Sequence, residues 1–210
     1  MKDINATIIV SLIPKLEDIK RKINLSARRG INKAVKSGLI VREANSEEDF
    51  SDFYELYEET FLCQGLPYDS IEKMKKRVST LLVCILEGRL IAGFGIGFNN
   101  KYDIETPRMF YNSSHNDFLR LQPNNLLYWR AIEWAKKNSY KKLDLGGWQI
   151  NAKENLIGIN KFKERWGKIV YFDVEYPIYI AIGRKLVRNY SMFRFLNEMF
   201  KQKMKGGNEK

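Results

Sequence analysis

The chain has 210 residues, 44% of them hydrophobic, with 12 Phe, 11 Tyr and 4 Trp. That composition excludes a disordered polymer and suits one domain with a sizeable core. Its net charge of +11 sits at the ends: residues 1–38 hold nine Lys or Arg against three acids, residues 181–210 hold eight against two, and the 142 residues between carry −1.

The stretch TIIVSLIP reads as a strand closed by Pro14, and LEDIKRKINLSARRGINKAVKSG as one interrupted helix or two short ones stopped by Gly38. LIVREA is a short strand. In NSEEDFSDFYELYEETF, Ser46 caps a helix with Asp49 three residues on, and Phe50, Phe53, Tyr54, Tyr57 and Phe61 share one face. A loop, GLPYDS, leads to a second, more polar helix, SIEKMKKRVS. The two apolar runs around EGR predict a hairpin of strands 81–87 and 90–98. Gly93, Gly95 and Gly97 line one face of its second strand, an arrangement that admits close approach to the backbone.

PRMFYNSSH is a further strand, QPNNLLYWRAIEWAKKNSY a helix burying Leu127, Ala131, Trp134 and Ala135, and KKLDL a short interior strand at 141–145. Helical INKFKERWG, closed by Gly167, leads to the last strand, KIVYFDVEY. From Pro177 the chain reads as a basic amphipathic helix over 178–203, then a disordered tail over 204–210. This order predicts an α/β (α+β) domain, a mixed central sheet flanked by helices. Residues 1–38 form a basic strand-helix segment contributing to the fold, and 39–177 the domain proper.

The charged ends steer the molecule towards a polyanion or an anionic surface. The Lys2-Asp3 start does not read as a signal peptide, and no apolar run nears the roughly 20 residues of a membrane span. Cys63 and Cys84 lack metal spacing and read as reduced core thiols of a cytoplasmic protein.

The chemistry-bearing motifs are few. No G-x-G-x-x-G, phosphate-loop lysine or G-x-S-x-G motif is present, and one histidine, His115, excludes a histidine-rich metal site; no metal is expected. Asp144 ends an apolar run before Gly146 and Gly147, whose amides are candidate partners for a strand-end carboxylate. Lys163 stands between Phe162 and Trp166, where aromatic packing fixes the direction of its amine towards a phosphate or a developing negative charge. Lys161 and Arg165 share that segment.

These stretches in order resemble the Fem-type peptidoglycan-bridge aminoacyltransferases, specifically the second acyltransferase-like domain, whose fold is that of the GNAT acyl-CoA N-acyltransferases. LLYWRAIEWAKKNSYKKLDLGG with GINKFKERWG is similar to the end of that domain. ARRGINKAVKSGLIV resembles the family's R-x-x-I-x-K-A-x-x-x-G-V segment, led by Arg28 or Arg29, and FYELYEETFLCQGLP its F-Y-x-L-Y-x-x-T segment. The resemblance implies a GNAT-like fold and transfer of an amino acid from aminoacyl-tRNA to an amine of a peptidoglycan or other cell-envelope precursor.

On the same grounds it implies catalytic roles for Lys163 and Asp144, and substrate contacts from Arg165, Gly146, Gly147, Trp148 and Asn125. No cofactor-binding residue can be assigned. Aminoacyl-tRNA is the implied donor and no bound cofactor is expected; acyl-CoA is the alternative. LRLQPNNLL, where acetyltransferases carry a glycine-rich turn, has no glycine, which weighs against acyl-CoA more than against tRNA. A coenzyme A-dependent N-acyltransferase, or a non-catalytic relative binding tRNA or anionic lipid, are the other readings.

Fem-type proteins usually carry two such domains. The single one here implies a homodimer, built on apolar parts of residues 5–35, or a partner supplying a first domain. The implied location is cytoplasmic or peripheral at the inner membrane face.

Overall fold

The computed structural model describes residues 2–99, 103–152 and 155–175. The helix expected at 178–203 and the tail at 204–210 lie outside them. Packing divides the chain into two compact units, one of residues 6–170 and one of residues 1–5 with 171–210. The site lies wholly in the first.

The elements follow in chain order as β1 (Lys2–Ser11), α1 (Leu16–Lys22), α2 (Leu25–Lys36), β2 (Ile40–Glu43), α3 (Glu47–Cys63), α4 (Ile71–Arg77), β3 (Thr80–Leu86), β4 (Arg89–Asn99), β5 (Asp103–Ser114), α5 (Pro123–Lys137), β6 (Lys142–Trp148), α6 (Asn155–Lys163) and β7 (Lys168–Glu175). The strands form one mixed sheet in the order β2-β3-β4-β5-β6-β1-β7. The hairpin of β3 and β4 turns at Glu87 and Gly88, both at positive φ (49° and 82°), as a two-residue turn matching strand twist requires. The interrupted basic segment resolves into two helices, broken at Asn24, whose side chain accepts from the Ser26 amide at 2.8 Å. Gly38 ends the second at φ 79°, and Ser46 caps α3 by accepting from the Asp49 amide at 3.1 Å.

Alternation along β3 separates two cores. Leu82 and Cys84 pack with α1, α2 and α5 on one face, including Ile19, Ile31, Leu127 and Ala131. Leu81 and Val83 pack with Phe53, Tyr57, Met74 and Val78 of α3 and α4 on the other. The glycine row of β4 faces the second core. A Cβ at Gly93 would meet the Phe53 ring at 2.8 Å, at Gly95 Val78 at 2.4 Å, and at Gly97 the Arg77 carbonyl at 2.0 Å. The row therefore lets α3 and the end of α4 lie against the sheet.

Four expectations need correction. β1 ends at Ser11, three residues before Pro14. β6, expected over 141–145, instead runs through Gly146 and Gly147 to Trp148, bulged against β1 between the Thr7↔Gly147 and Ile9↔Asp144 pairs, with Gly146 at φ 83°. Cys63 is exposed while Cys84 is buried, its thiol pushed up to about 12 by burial. Of the apolar residues of 5–35 expected to form an interface, Ile8, Val10, Leu12, Ile23 and Ile31 are buried in the chain's own core, which leaves Ile13, Leu25 and Val35 exposed. Among the described residues no helix is long and apolar enough to cross a membrane.

Candidate active site

β5 and β6 run parallel and pair at Arg108↔Asp144. Beyond that pair, residues 109–114 and 145–147 line a cleft of about 710 Å³, joined by Thr60, Gln64 and Arg77 from the α3/α4 side and by Asn124, Tyr128, Phe162 and Lys163 from the α5/α6 side. The β4–β5 register explains part of the opening. Gly93 pairs with Ser113 but Gly95 with Phe110, so β5 carries one residue more than β4, and Tyr111 takes φ 56°. A bulge of this kind interrupts the ladder and re-aims side chains. The Tyr111 hydroxyl donates to Asp69 at 2.8 Å, and its pKa rises to about 12 through burial and that carboxylate.

Lys163 is the last residue of α6 and lines the cleft. Its amine donates to the Gly147 carbonyl at 3.0 Å. Its pKa is lowered to about 8, chiefly by burial and also by the Arg108 charge, with Asp144 opposing both. Phe162 packs edge-on against Tyr128, ring centroids 5.0 Å apart, and Trp166 lies 5.6 Å from the same ring. These contacts hold the end of α6 against α5.

Asp144 is buried and fully engaged. It accepts from the Gly146 amide at 2.8 Å, from Arg108 at 3.0 Å and from the Thr7 hydroxyl. The carboxylate thus braces the glycine turn and Arg108, which is a positioning arrangement rather than that of a base in contact with substrate. Gly146 and Gly147 line the cleft beside Lys163.

The other residues singled out from sequence stand elsewhere. Arg165 stacks over Phe162 at 5.8 Å, the Trp148 indole donates to Glu164 at 2.7 Å, and Asn125 is buried against Gly30, donating to Gln122 at 2.7 Å. None of the three lines the cleft.

Sequence reading missed Arg77, Arg108, Tyr111, Ser113 and Tyr128. Tyr128 is fully buried, its hydroxyl kept neutral by burial, and the buried Ser113 hydroxyl lines the cleft without a partner among the described residues. Nothing in the helical run around Tyr128 sets it apart from its apolar neighbours, and no residue type in FYNSS announces a bulge. Among the described residues no cluster suits a metal ion.

A second hollow, about 480 Å³, lies where α2 and α5 begin, lined by Asn24, Arg29, Gly30, Lys33 and Gln122. Gln122 is left-handed at φ 66° and Pro123 opens α5. No glycine turn presents amides there, and Pro123 supplies none.

The family model described as Acetyltransferase (GNAT) domain matches residues 21–164, which takes in every element from α2 to α6. The chain belongs to the GNAT acetyltransferase domain family. It is accordingly a GNAT-fold member of a catalytic acyltransferase family. None of the curated protein sequences matches it.

Among solved structures, this GNAT domain is similar to the crystal structure of FemX (TM-score 0.68, 15% identity, 84% of this chain and 63% of that one). It is also similar to L-PGS from Bacillus licheniformis (0.61, 14%, 90% and 67%), and to the C-terminal domain of a protein assigned as a lysylphosphatidylglycerol synthetase from Agrobacterium fabrum (0.61, 12%, 88% and 64%). The chain spans under two thirds of the FemX and Agrobacterium chains. Likeness at such identities is likeness of fold.

Proposed function

We propose that this GNAT domain forms an amide by moving an aminoacyl group from aminoacyl-tRNA to an amine of a cell-envelope molecule, acting in the cytoplasm or at the inner face of the membrane. The observation that carries the reading is Lys163, a desolvated cation held 3.0 Å from the Gly147 carbonyl in a cleft opened between two parallel strands. The acceptor nitrogen attacks the ester carbonyl carbon, and the Lys163 ammonium stabilises the oxyanion. The carbon–oxygen bond to the terminal ribose then breaks. The ribose oxygen leaves with a proton that originates on the amine, and the neutral Tyr128 hydroxyl is placed to relay it. Gly146 and Gly147 shape the wall, while Asp144 positions Arg108 and the turn. Arg165, Trp148 and Asn125 act by supporting α6 and the start of α5.

The tRNA donor is favoured over acyl-CoA by the Gln122–Pro123 entry to α5, where no glycine turn stands and Pro123 removes one of the amides that could face a diphosphate. Arg29 and Lys33 in the second hollow offer side-chain cations to a phosphate instead. The names of FemX and of the lysylphosphatidylglycerol synthetase support an envelope acceptor by analogy of fold. A second copy or a separate partner would complete the acceptor site.

The test is parallel transfer from labelled aminoacyl-tRNA and labelled acetyl-CoA to lipid-linked and soluble peptide amines. Label should move from tRNA and not from acetyl-CoA. Transfer from acetyl-CoA alone would replace the donor and keep the amide-forming chemistry.

A further inference from the structure

The cleft's charge is one-sided. Arg77, Arg108 and Lys163 line it, and among the described residues no Asp or Glu does. Two of those cations are already held: Arg108 pairs with Asp144 and Lys163 donates to a carbonyl. Arg77 differs. Its guanidinium lies over the Phe110 ring at 4.2 Å and touches the Tyr111 hydroxyl through a hydrogen bond, but among the described residues it forms no ion pair. The nearby Asp69 carboxylate is taken by Lys73 at 2.5 Å and by Tyr111. The backbone fixes the Arg77 position, since its carbonyl sits where a Gly97 side chain would be. Gly95 pairs with Phe110 on the neighbouring strand, so the ring stands beside the end of α4.

Arg77 also lies on the α3/α4 face, opposite the α2/α5 face that carries Arg29, Lys33 and Gln122. The cleft is lined from both sides of the sheet at the β5/β6 opening. If the donor's phosphates lie at the α2/α5 hollow, the other mouth is left to the acceptor.

Resting on the proposed transfer reaction, we infer that Arg77, stacked on Phe110, is the specificity-determining residue for the acceptor, binding a carboxylate or phosphate carried by the amine-bearing molecule. A planar guanidinium backed by an aromatic ring is preorganised to grip two oxygens of such a group. The same charge disfavours polycationic amines, which would bring like charge into a cleft with no acid to balance it. The acceptor is therefore an anionic amine, such as a peptide ending in a free carboxylate or a phosphate-bearing head group.

The experiment is calorimetric binding, so that no turnover is needed. The probes are a short peptide with free amino and carboxyl ends, its C-terminal amide, and O-phosphoethanolamine, titrated into the full chain and into Arg77→Gln, Arg77→Lys and Phe110→Leu. The intact protein should bind the free peptide, or phosphoethanolamine, about tenfold or more tightly than the amide, and which of the two binds identifies the anion. Arg77→Gln should erase that preference and leave the weak amide binding unchanged, while Arg77→Lys should retain part of it. Phe110→Leu, which keeps the charge and removes its platform, should give an intermediate loss and serves should Arg77→Gln fail to fold. Failure of the intact protein to bind either the free peptide or phosphoethanolamine more tightly than the amide overturns the inference, as does a preference that survives both Arg77→Gln and Phe110→Leu. A chain that discriminates the probes but transfers from neither donor keeps the Arg77 assignment and loses the donor assignment.

Discussion

Burial, with the Arg108 charge, lowers the Lys163 amine from the ordinary 10.5 to about 8, so a contact that depends on its charge operates below that pH and is lost above it. We expect turnover at saturating acceptor to fall as pH rises through about 8. Lys163→Met should reduce turnover about 10²-fold or more, as removal of an oxyanion donor does. Lys163→Arg should move the descending limb out of range. The stability effect has the opposite sense. The unfolded chain holds this proton up to about 10.5 and the folded chain only to about 8, so stability rises with pH across that window and the burial cost is fully present below it. Lys163→Met should therefore melt no lower than the parent at pH 7, with its advantage shrinking by pH 10 in thermal scans. Lys161, exposed and outside the cleft lining, is the control, and its Met variant should turn over normally.

Asp144 raises the Lys163 pKa while Arg108 lowers it, and this makes the brace testable. Asp144→Asn leaves Arg108 largely buried without its counter-charge, a change worth roughly 3 kcal/mol or more in stability. Any folded fraction should show the limb of the pH–rate profile moved below its parental position. An unmoved limb in a stable variant would detach Asp144 from the amine and leave it a turn-forming residue.

Among the elements, α4 is tied to the sheet by an absence. Gly97→Ala would set a Cβ 2.0 Å from the Arg77 carbonyl, with backbone rather than a flexible side chain as the obstacle. Denaturant titration should show a loss of about 1–3 kcal/mol. Gly158, inside α6, meets nothing within 4 Å, and Gly158→Ala should stabilise by roughly 0.5–1 kcal/mol on helix propensity.

The same elements mark how far sequence alone reached. Periodicity located α3 and α5, turn chemistry the β3–β4 hairpin, and the glycine row the close approach, because each is a local pattern. The partner meeting those glycines was not legible, since Arg77 and Gly97 are brought together only by packing. Nor was the bulge at Tyr111, which lies where the register of β5 against β4 shifts between Phe110 and Ser113. Lys163 was readable from its aromatic neighbours, and it lines the cleft with Gly146 and Gly147. Arg165, Trp148 and Asn125 came from motif proximity, and three-dimensional placement takes them away from it.

At the scale of the whole molecule, the proposed transfer assigns charge and shape to different parts of the substrate. The near-neutral middle of the chain holds the cleft, while the basic ends, +6 over residues 1–38 and +6 over 181–210, supply a long-range field. Of the first segment, Arg29 and Lys33 are exposed on α2 beside the second hollow. A polyanionic donor held there releases counterions, so affinity for tRNA should fall steeply and log-linearly with salt. Arg29→Gln with Lys33→Gln removes two phosphate contacts without touching the core. The slope of log K against log salt should then flatten by about one to two units. Binding of the peptide amide used to probe Arg77, which carries no anionic group, should be unaffected. Nitrocellulose filter binding from 50 mM to 300 mM salt reads that slope directly. A slope unchanged in the double variant would move the donor's phosphates off α2, and with them the argument that the opposite mouth belongs to the acceptor.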